Sequence, residues 1–158
     1  MPAPERTETE QERLDRRLDQ LLQELRVAMP GVQVLFAFLL AVPFQQRFAT
    51  VTEFQKDVYF VALLAAAAAS ALFIAPTAFH RMLFENHDKP FIVSVGNRLT
   101  LAGLLFLAIA MTGAVLLVSD VLFDGAVVVV TVAITSGLFL GLWFGLGIAR
   151  RLSGKHSH

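Results

Sequence analysis

The sequence predicts an all-α, polytopic membrane protein, a bundle of four transmembrane helices with an amphipathic cytoplasmic helix at its amino end. Three observations carry that prediction. The 158 residues are 56% hydrophobic and only 16% charged, with mean hydropathy +0.63, where soluble domains carry about 25% charge. The charges are clumped: residues 27–46, 58–79, 99–119 and 125–149 contain no Asp, Glu, Lys, Arg or His. Each interval has 20 or more residues, and a helix of about 20 crosses a hydrocarbon core of roughly 30 Å.

Residues 1–26 form a polar amino-terminal segment without the apolar core of a signal peptide. Thr7-x-x-Glu10 and Thr9-x-x-Glu12 both fit a capping box. Leu14, Leu18, Leu21 and Leu25 then fall on one helical stripe. A helix on the membrane interface, one packed on the protein's own cytosolic parts and a short coiled-coil contact all fit that stripe. Span 1 covers about 27–44, with Pro30 expected to bend it at entry and Pro43 to mark its exit. Gln33 is its one strongly polar side chain. A bare amide is costly in hydrocarbon, so Gln33 is expected to face another helix or a wet cavity, as interhelical glue or as part of a pathway.

Residues 45–57 read as an exposed connection. Span 2, about 58–79, has six small residues in a row from Ala65 to Ser70. Residues 80–98 read as the longest internal loop, with Phe91-Ile92-Val93 skimming the surface. Span 3, about 99–119, joins span 4, about 126–149, by a tight acidic turn with Asp120, Asp124 and Gly125. Residues 27–149 thus make the membrane domain and 150–158 a basic tail. Eleven Lys and Arg lie in the amino-terminal segment, the 80–98 loop and the tail, against two (Arg47, Lys56) on the other side. By the positive-inside rule both termini face the cytoplasm, in a cytoplasmic (inner) membrane.

The strongest local pattern is Ala133, Gly137, Gly141, Gly145 and Ala149, each four apart in span 4. Such a helix-packing ridge lets a second helix approach closely. The Ala65–Ser70 run offers a matching surface within one unit, and a further copy offers another. At the cytoplasmic boundary Glu24, Arg26, His80, Arg81, Asn97 and Arg98 come from the ends of three spans. They suit either lipid anchoring or a gate and anion-binding vestibule in which His80 titrates near neutrality.

Other chemistry is excluded by what the chain lacks. There is no cysteine, so no disulfide or thiolate chemistry. No catalytic constellation, metal-ligand cluster or cofactor motif appears, and no basic face suits nucleic acid. Every acidic and basic side chain lies outside the charge-free intervals, whereas ion-coupled carriers generally keep an ionisable group at mid-membrane depth.

The run Leu21-Leu22-Gln23-Glu24-Leu25-Arg26-Val27-Ala28, with Gly31 to Leu40 and Pro43-Phe44-Gln45-Gln46-Arg47-Phe48, resembles a family of small actinobacterial membrane proteins of unknown function. Ala75-Pro76 with His80-Arg81, and Asn97-Arg98-Leu99 with Ala102-Gly103, are similar to that family's later segments. The resemblance implies a four-span protein, of a kind sometimes labelled a sodium:proton antiporter. Two functions are therefore expected. One is an oligomeric transport or channel protein gated on the cytoplasmic side. The alternative is a non-enzymatic scaffold or regulatory subunit acting through helix–helix contacts. The partners expected are the lipid bilayer, further copies and another membrane protein, with no cofactor.

Overall fold

The computed structural model describes residues 10–82 and 89–145. Their regular structure is helical: α1 (Glu10–Ala41), α2 (Glu53–Met82), α3 (Lys89–Leu122) and α4 (Ala126–Leu140), the last continued by a π-helical turn, Gly141–Gly145. All four are long and apolar enough to cross a membrane. At about 1.5 Å per residue, α1, α2 and α3 with 32, 30 and 34 residues each exceed a bilayer core of roughly 30 Å. The surplus of α1 and α3 lies in their polar first turns. The bundle therefore extends beyond the apolar spans at the end where α1 and α3 begin and α2 finishes.

One expectation changes. The segment expected to skim the surface around Phe91-Ile92-Val93 is the start of α3, whose helix opens at Lys89 rather than near residue 99. Apolar residues at Val93, Val95 and Gly96 give it a face to dock, and Gly96 is buried against Leu21 and Pro76. The amphipathic segment leads directly into the span: α1 is one helix from Glu10 through Pro30 to Ala41.

The two halves of the bundle are held by different forces. Beyond the spans, Leu18, Leu21 and Leu25 are buried, Leu25 to 2% exposure. Each such leucine gains about 1.5–3 kcal/mol by leaving water. Leu21 and Leu25 pack on α2 and α3 of the same chain, in one cluster with Val32, Ala69, Phe73 and Leu107. Within the spans, lipid removes that driving force and close approach takes over. There α2 presents Ala62, Ala65, Ala66, Ala69 and Phe73 to α3, all buried. A Cβ built on Gly103 would lie 2.5 Å from the Phe73 ring, and one on Gly113 would lie 2.9 Å from Cβ of Ala62. Those two glycines set the α2–α3 distance.

The Ala65–Ser70 run is thus occupied by α3, not by the ridge of α4. Helix α4 leans chiefly on α3. Ala133, Gly137, Gly141 and Gly145 are exposed, and Cβ atoms at Gly137 and Gly141 would meet nothing within 4 Å. Packing of the ridge inside one four-helix unit is therefore not what the chain does among the described residues. The π-helical turn at 141–145 also moves the pattern off a straight stripe, because i→i+5 bonding breaks the four-residue step. Ala149 lies outside the described residues.

The α1–α2 connection is built around an orphaned carbonyl. Pro43 has no N–H to give the Leu39 carbonyl four residues back. The Tyr59 hydroxyl donates to that carbonyl instead, at 3.1 Å. Phe48 packs edge-on against Tyr59, ring centres 5.2 Å apart. Between α1 and α2 run two short 3-10 turns, Val42–Phe44 and Gln46–Thr50.

Candidate functional site

Two polar sites lie at opposite ends of the bundle. At the amino-terminal end, Arg17, Gln20 and Glu24 recur at three- and four-residue steps and so share one face of α1. Ser94 and Asn97, three apart on α3, face them across a cleft of about 450 Å³ whose apolar lining is Leu14, Leu21 and Val93. Among the described residues Glu24 and Arg17 make no ion pair; two helical turns, about 10 Å, separate their backbones.

Of the vestibule residues, Glu24 and Asn97 meet in this cleft. Arg26 and Arg98 are exposed and do not line it. His80 and Arg81 belong to the last turn of α2, and their side chains lie outside the described residues. Arg17, Gln20 and Ser94 were not anticipated. Their signal is a polar stripe beside the leucine stripe, readable only once 89–98 is known to be helical.

At the other end, Thr52 and Gln55 form a capping box. The Gln55 N–H donates to Oγ1 of Thr52 at 3.2 Å, and the Thr52 N–H donates to Oε1 of Gln55 at 3.0 Å. The remaining amide nitrogen of Gln55, a residue only 8% exposed, donates to Oδ2 of Asp120 at 2.9 Å. This ties the start of α2 to the last turn of α3. Beside it lies a pocket of about 480 Å³ with Arg47, Gln45 and Thr50 among its polar walls and Val42, Phe48 and Val121 among its apolar ones. The Thr-x-x-Gln spacing ahead of an apolar run was the available signal.

Inside the spans the chemistry is sparse. Ser70 and Thr100 spend their hydroxyls on carbonyls four residues back, Ala66 and Gly96, at 2.9 Å each. A groove of about 480 Å³ between α2 and α4, floored by α3, is lined almost wholly by apolar side chains, with Asp57 at one end and Thr112 and Ser136 within. Gln33 is not buried between helices of the chain. It is exposed on the outer face of α1 and bonds to no described residue. Among the described residues no three His, Asp or Glu side chains converge as a metal site would require.

Four apolar helices of spanning length, no strand among the described residues and polar groups gathered at the two ends define a multi-pass membrane protein of the helical-bundle class. The chain belongs to a family of unknown function, DUF6328, whose model matches residues 7–147. No curated protein and no solved structure matched it.

Proposed function

We propose that the chain is a non-enzymatic membrane scaffold or regulatory subunit that assembles with further copies of itself through helix–helix contacts in the bilayer. The observation that carries this reading is the placement of Gln33. Its amide stands on the outer face of α1 with no described partner, about 10 Å beyond Arg26 along the helix. A primary amide left in hydrocarbon costs several kcal/mol, and a second amide is its natural complement. Pro30, Ala37 and Ala41 flank it on the same exposed face, small or flat enough for a second helix to come close. The exposed Gly137–Gly141 face of α4 is a further lateral surface, suited to another membrane protein.

The interior speaks for contact rather than conduction. Ala62, Ala66, Ala69, Phe73 and Ala110 are fully buried between the helices, and no charged group lies among them. The Lys/Arg asymmetry supports both termini on the cytoplasmic side of a bacterial-type inner membrane.

The test is dilution of purified protein in liposomes, with association read by single-molecule photobleaching. Wild type should remain associated, and Gln33→Leu should raise the dissociation constant about 3- to 30-fold, the range of roughly 0.6–2 kcal/mol measured for interhelical polar bonds. A wild-type chain that stays monomeric at every lipid ratio defeats the reading. A second reading, an assembled conduit, is favoured by the cleft that brings Glu24 and Asn97 together as a vestibule. The same liposomes decide it, because proton or sodium flux under an imposed gradient, lost in Gln33→Leu, would establish transport.

A further inference from the structure

The geometry of the pocket beside Gln55 and Asp120 points to a binding site for a zwitterionic phospholipid with a primary ammonium headgroup. Asp120 is an unusual place for a carboxylate. It stands in the last turn of α3, a turn with no basic residue, where the helix dipole disfavours negative charge and favours a cation. Gln55, itself held in the capping box, fixes Oδ2 with one hydrogen bond. Among the described residues no Lys or Arg pairs with the carboxylate. A carboxylate that is half-buried, oriented and without a cation suits an ammonium that can donate N–H bonds.

The same pocket also holds the other charge. Arg47 lines the same pocket, and among the described residues it too has no ion-pair partner. A guanidinium in this position suits a phosphate diester. Apolar side chains flank the carboxylate along α3: Val121 and Leu122, 44% and 62% exposed, lie beyond it, and Leu117 with Val118, the latter 57% exposed and within span 3, lie on its membrane side. An acyl chain could follow α3 toward the membrane centre while the headgroup stays at the level of Asp120. The net field selects against an anionic lipid. This end carries Arg47 and Lys56 against Glu53, Asp57, Asp120 and Asp124, and Lys56 is already bonded to Glu53 at 2.7 Å.

The experiment is native mass spectrometry of the full chain released from nanodiscs that hold equimolar phosphatidylethanolamine, phosphatidylcholine and phosphatidylglycerol. Phosphatidylethanolamine should be retained several-fold over the other two. With the wild-type protein, successive N-methylation of the headgroup should weaken retention stepwise as N–H donors disappear. Asp120→Asn, which keeps an oxygen acceptor for Gln55, should bring ethanolamine and choline lipids to parity. Arg47→Gln should lower retention of both alike. Equal retention of the three lipids by wild type, or an ethanolamine preference that survives Asp120→Asn, overturns the assignment. Displacement of the bound lipid by millimolar glycerophosphoethanolamine also overturns it, in favour of a water-soluble zwitterion as the ligand.

Discussion

Tyr59 shows how a single side chain repairs a defect that the sequence itself creates. Proline at 43 ends α1 and strands the Leu39 carbonyl, and the Tyr59 hydroxyl satisfies it from the neighbouring helix. Tyr59→Phe leaves that buried acceptor without a donor and should cost about 1–3 kcal/mol, read as lost stability toward unfolding in detergent. In a Pro43→Ala background residue 43 regains its N–H, and the same change should cost markedly less. Equal costs in the two backgrounds would mean the bond carries nothing. Gly103 presents the reverse situation, a place where an atom must be absent. A methyl there would lie 2.5 Å from the Phe73 ring, so Gly103→Ala should destabilise by about 1–3 kcal/mol through overpacking. Combining it with Phe73→Leu should recover part of the loss, and strict additivity would argue against direct contact.

At the scale of elements, α1 divides at the membrane surface into a part that water drives and a part that lipid does not. Leu25→Ala removes a side chain that is 2% exposed from the water-driven part and should cost about 2–5 kcal/mol. Because Leu25 packs on its own chain, the oligomeric state should not change; dissociation of an assembly by this substitution would place the stripe at an interface instead. The stripe was legible from the spacing of Leu14, Leu18, Leu21 and Leu25, but its partner was not, because periodicity identifies a face without saying what covers it. The four spans were legible because absence of charge is a direct statement about solvent. The start of α3 was not. Asn97, Arg98 and Pro90 resemble loop punctuation, and only the docking of Gly96 on Leu21 and Pro76 makes residues 89–98 worth ordering. The Gly and Ala ridge of α4 is exposed rather than packed within the chain among the described residues; small residues signal close approach without naming the approaching helix. The residues that set a close approach inside the chain are Gly103 and Gly113. Glu24 and Asn97, which the sequence places at the ends of spans on one side, line one cleft, whereas the Gln55–Asp120 bond spans 65 residues and left only a capping-box spacing to find.

For the whole molecule, the decisive property is that the three helices α1, α2 and α3 close on a core of buried, mostly small side chains while α4 leans chiefly on α3. Natural absence of cysteine makes this directly measurable, since every introduced thiol is the only one. A membrane-impermeant maleimide should label cysteines at Glu24 and Asn97 from the cytoplasmic side and cysteines at Gln46 and Asp124 from the opposite side, as the Lys/Arg asymmetry requires. Cysteines at Ala66 and Ala69, which have no exposed surface, should stay unlabelled from either side until the protein is denatured. A cysteine at Gly137, exposed on α4, is the informative intermediate. Facing lipid, it should resist the impermeant reagent yet react with a small lipid-soluble maleimide, and covering by a partner should suppress the second reaction as well. Labelling of Ala66→Cys by the impermeant reagent in the native membrane would reveal water between α2 and α3 and would return the assembled conduit to first place. Protection there, with Glu24 and Asn97 reactive from one face only, leaves lateral contact as the way this bundle acts.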